Sequence, residues 1–180
     1  FMLATAMPRG EATIRGVQRE HIEIFDAKLM QMGVDIVSRD DVTVTVSVKG
    51  ELSPINVVTT AYPGFPTDLQ PSITALACLA HGDSYIREMI FEDRLGHVKA
   101  LRQFGATLSP EKDRLVIVHG PAKLKATRVK ASDIRAGACC VLAALAAEGR
   151  SSISNLYQLD RGHTRLEERL GQLGARLERL

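Results

Sequence analysis

The stretch AHGDSYIREM (80–89) decides the fold, because its pattern occurs twice more, as PRGEATIRGV (8–17) and AEGRSSISNL (147–156). In each copy a glycine ends an apolar segment and a strand-like run follows. These glycines, Gly10, Gly82 and Gly149, lie 72 and 67 residues apart. A period of that length is too long for a solenoid repeat and suits one supersecondary unit used three times.

The second part of each copy is an amphipathic segment that leads into a glycine. Gly33, Gly105 and Gly174 each follow a helical pattern and precede an apolar run. This is the place of a left-handed residue that ends a helix. The sequence therefore predicts that the second helix of every unit ends at the same kind of glycine.

Strands are indicated by the alternating or β-branched stretches DDVTVTVSV (40–48) and RLVIVHG (114–120). The turn-like segments VSRDDV (37–42) and SPEKDR (109–114) would join paired strands. One unit therefore reads as a helix, a strand, a second helix and a strand pair.

The first helices of the units are apolar on all sides. AGACCVLAALAA (136–147) carries no charged side chain, and SITALACLA (72–80) is nearly as apolar. Such helices are buried all round, whereas the amphipathic HTRLEERLGQL (163–173) should lie outside. The pattern predicts an α/β fold in which sheets surround three buried helices, a barrel turned inside out.

We expect one domain over 1–180, with repeats at about 1–53, 54–131 and 132–180. FMLATAMPRG (1–10) aligns with the ends of the other buried helices, and GARLERL (174–180) stops before a closing strand pair. The chain is therefore expected to be part of a longer protein.

Composition excludes several classes. The net charge of +2 gives no reason to expect a nucleic acid or an anionic membrane as partner. No apolar run approaches the roughly 20 residues that span a bilayer, and no basic leader precedes the first apolar run. Cys78, Cys139 and Cys140 lie in apolar segments, which suggests neither disulfides nor a metal site and predicts a reducing cytoplasm.

Helix starts supply the candidate site residues. In GFPTDLQ (64–70), Thr67 and Gln70 fit a capping box and Asp68 fits the first turn, so Asp68 alone could be a helix-start residue. In SDIRAG (132–137), Ser132 is expected to cap the helix, with Asp133 in its first turn.

Three arginines stand at the joints between elements. Arg135 is a cation in a first turn, where the helix dipole disfavours it, and a local rule broken in this way suggests function. Arg94 in FEDR and Arg161 in LDRGH occupy equivalent joints between strand and helix. A solvated turn arginine is the alternative interpretation.

GFPTDLQ, FEDRLGHV (91–98), SDIRAGA (132–138) and LDRGH (159–163) together resemble the UDP-N-acetylglucosamine 1-carboxyvinyltransferase (enolpyruvyl transferase) family. The resemblance covers nearly the whole chain and corresponds to the C-terminal domain. It implies an enzyme of two domains, each an inside-out α/β barrel of three βαβαββ repeats with buried helices. The missing N-terminal domain would be the partner, and the active site would lie between the two domains. The family moves the enolpyruvyl group of phosphoenolpyruvate to the 3′-hydroxyl of UDP-N-acetylglucosamine, in bacterial peptidoglycan synthesis.

The resemblance also implies roles for particular residues. Asp68 would be the catalytic and sugar-binding carboxylate, which accepts the proton of the 3′-hydroxyl. Ile90 would touch the nucleotide sugar. Arg135, Arg161 and Arg94 would bind the phosphoenolpyruvate anion, with Asp133 supporting them.

No metal or organic cofactor is implied, and the buried cysteines are not expected to act as nucleophiles. The sequence departs from the family at Arg87, Asp93 and His163, of which His163 is expected to be a surface or supporting residue. The chain alone is expected to be inactive. Two alternatives stay open: a 5-enolpyruvylshikimate-3-phosphate synthase-like enzyme, and a non-catalytic domain that binds a nucleotide sugar or a protein.

Overall fold

The fold is a mixed α/β structure in which the order helix, strand, helix occurs three times along the chain, in a computed structural model that describes residues 1–112 and 114–180. Each occurrence, with the strands next to it, is called a copy below. The first copy contains α1 (Met2–Ala6), β1 (Glu11–Arg15), α2 (Glu23–Gln31), β2 (Asp35–Ser38) and β3 (Thr43–Ser47). The second contains β4 (Asn56–Val58), α3 (Gln70–Ala77), β5 (Asp83–Arg87), α4 (His97–Gln103), β6 (Thr107–Glu111) and β7 (Leu115–His119). The third contains β8 (Arg128–Lys130), α5 (Ile134–Ala146), β9 (Ser152–Ser154), α6 (Tyr157–Asp160) and α7 (Leu166–Gln172).

The strands form three sheets, one for each copy. Their orders are β1-β3-β2, β4-β5-β7-β6 and β8-β9. The pairs β4–β5 and β8–β9 are parallel, and the remaining pairs are antiparallel. Because the carboxyl ends of parallel strands meet at one edge, the segments that follow β4 and β5 start side by side. In the predicted turn SPEKDR, Asp113 lies outside the described residues.

The helices α1, α3 and α5 pack on one another, as their apolar sequences predict. All eight residues of α3 are buried. The polar side chain of Thr74 is accommodated there because its hydroxyl donates to the Gln70 carbonyl at 2.7 Å. In α5 the buried stretch covers most of the first three turns, and the last turn is partly exposed.

The glycines that end α2, α4 and α7 confirm the sequence prediction. Gly33, Gly105 and Gly174 have φ values of +91°, +91° and +92°. At the end of α4, Gly105 N donates to the Arg102 carbonyl at 3.0 Å and Ala106 N to the Leu101 carbonyl at 3.2 Å. This paired pattern closes a helix around a left-handed residue, which glycine adopts at the lowest cost.

The expected cap of α3 is wrong. Thr67 lies in a 3-10 turn, Thr67–Leu69, and its hydroxyl donates to Glu88 Oε2 at 2.8 Å. The α-helix begins only at Gln70, without a side-chain cap. An ionised carboxylate is a stronger hydrogen-bond acceptor than the neutral groups of the chain, so it takes the hydroxyl that the capping box would use.

The expected cap of α5 is wrong in a different way. Asp133, and not Ser132, is the N-cap, and its Oδ1 accepts from Arg135 N at 2.9 Å and Ala136 N at 3.2 Å. Ser132 instead donates to Asp133 Oδ2 at 3.2 Å. A carboxylate interacts with both the free N–H groups and the positive end of the helix dipole, so it displaces a hydroxyl from this role.

None of the helices in residues 1–112 and 114–180 has the length and apolar character that crossing a membrane requires.

Candidate active site

Three of the predicted site residues converge on one side of the molecule. Nη1 of Arg94 lies 3.1 Å from Asp68 Oδ1, and Nη1 of Arg135 lies 4.0 Å from the same oxygen. The three side chains come from the turn before α3, the segment after β5 and the first turn of α5. The Asp68 side chain is 75% exposed, whereas those of Arg94 and Arg135 are 21% and 23% exposed. The site thus presents a carboxylate to solvent between two partly covered guanidinium groups.

Asp133 holds Arg135 in this position. Its Oδ1 atom accepts from Arg135 Nε at 3.2 Å as well as from the backbone N–H groups of the helix start. The capping carboxylate therefore offsets the unfavourable interaction of the Arg135 cation with the helix dipole. Asp133 therefore caps α5 and contacts the Arg135 side chain with the same oxygen.

Arg161 is not brought into contact with these side chains. It lies exposed at the end of α6, where Nη1 approaches Gln158 Oε1 at 3.4 Å, and within the described part of the chain it forms no ion pair. The next residue, Gly162, packs against α5, since a Cβ there would lie 2.4 Å from Ile134 Cδ1. The Arg161 segment therefore lies over the first turn of α5, the turn that carries Arg135.

Ile90 and Phe91 form an exposed apolar rim beside the charged residues. Their exposed fractions are 38% and 46%. The Arg94 guanidinium carbon lies 4.0 Å from the centroid of the Phe91 ring, a cation–π contact. Arg94 is thus oriented by an aromatic ring on one side and by Asp68 on the other.

Glu88 is the site residue that the sequence analysis missed. It is fully buried directly after β5. Its Oε1 accepts from Thr59 Oγ1 at 2.9 Å and from the N–H groups of Ile90 at 2.8 Å and Phe91 at 3.1 Å. A signal was present, because Ser84 and Ile86 are the buried residues of β5 and the alternation points Glu88 to the same face.

Hydrogen bonds keep Glu88 ionised. Burial alone would raise the pKa of this carboxyl, but the four donors Thr67, Ile90, Phe91 and Thr59 outweigh burial and hold the pKa below its usual value. Among the described residues no basic side chain forms a salt bridge with Glu88, so its charge is stabilised by these neutral donors.

His97, the first residue of α4, is also buried, with 1% of its surface exposed. Within residues 1–112 and 114–180 neither ring nitrogen makes a hydrogen bond of normal geometry. Burial lowers the pKa of His97 to about 4, and the Arg94 backbone and the Asp133 and Glu88 carboxylates oppose this only in part. His97 is therefore a neutral residue packed behind the site at pH 7.

The three cysteines are free and buried. Burial raises the pKa of Cys78 to about 12 and that of Cys140 to about 11, and it raises the pKa of Cys139 as well. The thiols are protonated at neutral pH and cannot serve as nucleophiles there, because the thiolate is the reactive form.

The sequence departs from the resembled family at Asp93, Arg87 and His163, of which Asp93 directly precedes Arg94. Asp93 has φ +52°, a left-handed conformation that short polar side chains tolerate. Arg87 is partly buried at the end of β5, and His163 is partly buried beyond α6. The pKa of His163 is lowered, chiefly by burial.

A second polar cluster, on the sheet of the middle copy, links Ser109, His119 and Asp83. His119 Nε2 lies 3.0 Å from Ser109 Oγ, and Nδ1 lies 2.9 Å from Asp83 Oδ1. This connectivity is that of a hydrolytic triad, but Pro110 follows the serine and lacks the N–H that such sites use as an oxyanion donor. Asp83 and His119 face each other across β5 and β7, so we interpret the cluster as cross-strand pairing.

Within the described residues no three His, Cys, Asp or Glu side chains are arranged as ligands of a metal ion.

The comparisons with known proteins identify the family and agree with the mixed α/β fold. The model of the EPSP synthase (3-phosphoshikimate 1-carboxyvinyltransferase) family matches residues 1–170. The chain belongs to this family.

Several relatives in the family carry a more specific name. The UDP-N-acetylglucosamine 1-carboxyvinyltransferase of Trichlorobacter lovleyi is 44% identical over 100% of this chain and 42% of its own length. UDP-N-acetylglucosamine 1-carboxyvinyltransferase 2 of Bacillus subtilis is 43% identical over 99% of this chain and 42% of its own length. The chain thus spans about two fifths of the curated relatives that it matches.

Solved structures give the same picture. The enolpyruvyl transferase NikO from Streptomyces tendae matches with a TM-score of 0.86 and 29% identity, over 97% of this chain and 41% of that one. EPSP synthase from Acinetobacter baumannii matches with a TM-score of 0.70 and 17% identity, over 95% of this chain and 43% of that one. The second match shows the shared α/β fold only.

Proposed function

We propose that the protein to which this chain belongs transfers the enolpyruvyl group of phosphoenolpyruvate to the 3′-hydroxyl of UDP-N-acetylglucosamine. The observation that carries this proposal is the 44% identity, over the whole chain, with a relative named for that transfer. The convergence of Asp68, Arg94 and Arg135 supports it, because the reaction needs a proton acceptor next to anion-binding groups.

Asp68 is the proton acceptor in this proposal. Without substrate its carboxylate is paired with Arg94 and lies near Arg135. A carboxylate or phosphate group of phosphoenolpyruvate that binds these arginines competes with Asp68 for them. The Asp68 carboxylate then becomes available to take the proton of the sugar hydroxyl as its oxygen attacks.

The arginines hold the anionic substrate. Arg94 and Arg135 face the Asp68 carboxylate, and Arg161 lies on the segment that covers the first turn of α5. The sugar oxygen adds to C2 of phosphoenolpyruvate while C3 gains a proton, which gives a tetrahedral ketal. Loss of that proton and of phosphate restores the double bond, and the arginines stabilise the departing anion.

Ile90 is proposed to contact the nucleotide sugar. Its side chain is exposed beside Phe91, and its backbone N–H donates a hydrogen bond to Glu88. An ordered apolar rim of this kind can pack against a ring while neighbouring polar groups read its hydroxyls.

The wider architecture belongs to the same proposal. The three copies form one domain, an inside-out α/β barrel, and constitute the C-terminal domain of a two-domain enzyme whose N-terminal domain completes the site. Free cysteines are typical of reducing compartments, so we expect the reaction to take place in the bacterial cytoplasm, in peptidoglycan synthesis.

The test is an acceptor comparison with the complete gene product. Phosphate release is measured with phosphoenolpyruvate and either UDP-N-acetylglucosamine or shikimate 3-phosphate, and we expect turnover with the nucleotide sugar only. Turnover with shikimate 3-phosphate alone would establish the sibling activity. Binding of the nucleotide sugar without phosphate release would establish a non-catalytic domain.

A further inference from the structure

Glu88 connects two segments of the site that are distant in the sequence. Oε1 accepts the N–H groups of Ile90 and Phe91, which fixes the apolar rim. Oε2 accepts the hydroxyl of Thr67, the residue before Asp68. One buried carboxylate therefore contacts both the turn that carries the acid and the loop that carries the rim.

The parallel pair β4–β5 makes this connection possible. Thr59 directly follows β4 and Glu88 directly follows β5, so the two residues lie side by side at the same edge of the sheet. Thr59 Oγ1 donates to Glu88 Oε1 at 2.9 Å and accepts from Met89 N at 2.8 Å. The Thr59 hydroxyl thus helps to fix the Glu88 carboxylate. Four hydrogen-bond donors in all leave this carboxylate little freedom to rotate.

The contacts form a closed ring through the site. Glu88 holds the Phe91 backbone, the Phe91 ring packs on the Arg94 guanidinium, and Arg94 pairs with Asp68. Asp68 leads back to Thr67, whose hydroxyl returns to Glu88. A displacement at any member of this ring changes the distance between the acid and the rim.

We propose that Glu88 is a positioning residue that sets the placement of Asp68 relative to Ile90 and Phe91 through its bond to Thr67. The proposal rests on the proposed function, because Asp68 and Ile90 are its acid and its sugar-contacting residue. Glu88 touches no substrate itself, since it is fully buried.

The first test is a set of threonine variants in the complete gene product. Thr67→Val removes only the donor, and we expect kcat to fall at least roughly tenfold, since small displacements of reacting groups can cost about 10²-fold. KM for UDP-N-acetylglucosamine should change less than threefold. Thr67→Ser keeps the hydroxyl and should restore kcat to within threefold of the unaltered protein.

The matched control is Thr74→Val. Thr74 is buried, whereas Thr67 is partly buried, and among the described residues the Thr74 hydroxyl bonds only to the carbonyl of Gln70 in the same helix. This variant should keep the original kcat. If Thr67→Val and Thr74→Val have kcat values within twofold of each other, the proposal is overturned.

Glu88→Ala tests the same bond from its other side. It removes the acceptor of the Thr67 hydroxyl, so in the Glu88→Ala background the additional Thr67→Val change has no hydrogen bond left to remove. We expect the double variant to be within about twofold of the worse single variant. Independent, multiplicative losses would contradict a shared bond.

Hydrogen exchange of the 180-residue chain separates the proposal from the proposed function. Glu88→Ala removes the acceptor of the Ile90 and Phe91 amides and should speed their exchange about tenfold, whereas Thr67→Val should leave them protected, since Thr67 bonds to the other oxygen. Unchanged exchange in Glu88→Ala would overturn the proposal. A complete gene product that transfers no enolpyruvyl group would refute the proposed function, and the exchange rates would still decide the role of Glu88 in placing the rim.

Discussion

Nη1 of Arg94 lies 3.1 Å from Oδ1 of Asp68. This ion pair connects the segment that follows β5 with the turn that precedes α3. The pair is open to solvent on the acid side, since the Asp68 side chain is 75% exposed. An exposed ion pair contributes little to folding, commonly below about 1 kcal/mol. Its geometry is therefore better suited to binding an anion than to stabilising the fold.

Asp68→Asn in the complete gene product should abolish most turnover without unfolding the protein. Asparagine has the shape of aspartate but cannot take the proton, so we expect kcat to fall at least roughly 10²-fold. The melting temperature should stay within about 2 °C, since the lost ion pair is exposed. Near-normal turnover would contradict a role for Asp68 in proton transfer.

Arg135→Ala and Arg161→Ala should weaken phosphoenolpyruvate binding far more than UDP-N-acetylglucosamine binding. Loss of one charge-assisted hydrogen bond costs roughly 1.5–3 kcal/mol, a factor of about 10 to 150 in Kd. Titration calorimetry with each ligand measures the two effects. Arg150→Ala is the control, because Arg150 is exposed and lies outside the site. Equal losses for both ligands would indicate a structural role for these arginines.

Asp133→Ala should destabilise α5, whereas Ser132→Ala should not. The N-cap bonds to Arg135 N and Ala136 N come from Asp133, and removal of such a cap costs about 1 kcal/mol. Asp133→Asn should keep most of that stability because asparagine caps equally well. Urea unfolding of the 180-residue chain measures the differences. If Ser132→Ala lowered the free energy of unfolding more than Asp133→Ala, the N-cap would be Ser132 and not Asp133.

His97 should make stability depend on pH. Its pKa is about 4 in the folded protein, against about 6.5 when unfolded, so the unfolded chain binds a proton first as the pH falls. The free energy of unfolding therefore falls between pH 6.5 and pH 4, by at most about 3 kcal/mol from this residue. Above about pH 7.5 both states carry a neutral His97, so its contribution to the free energy of unfolding no longer changes with pH.

His97→Leu should flatten this part of the profile. Glu88 also has a lowered pKa, so its contribution likewise disappears in acid, but it is common to both proteins and cancels in the difference. Urea unfolding at pH 7 and pH 4.5 gives the two slopes, with the exposed His21→Leu as control. Parallel profiles for His97→Leu and the unaltered chain would refute the burial of a neutral imidazole.

The 180-residue chain alone should release no phosphate from phosphoenolpyruvate and UDP-N-acetylglucosamine. It spans about 42% of the length of its relatives, and Asp68 is open to solvent. Enzymes of this chemistry need water excluded from the reacting groups, for which a second domain is the proposed source. Clear turnover by the chain alone would show that the site is complete within it.

The sequence by itself determined the features that depend on local patterns. The left-handed glycines Gly33 and Gly105 follow from helix periodicity, and the buried α3 and α5 follow from segments that are apolar on all sides. Asp68 and Arg135 could be identified as candidate site residues because the sequence motifs around them predict helix starts at their positions.

The tertiary structure decided which partner each polar group takes. Thr67 donates to Glu88 rather than capping a helix, and the partners are 21 residues apart in the sequence. Arg94 and Asp68 are 26 residues apart and meet because the parallel strands β4 and β5 begin their loops at one edge. A hydrogen-bond donor binds the strongest acceptor within reach in space, and a linear sequence lists neighbours along the chain only.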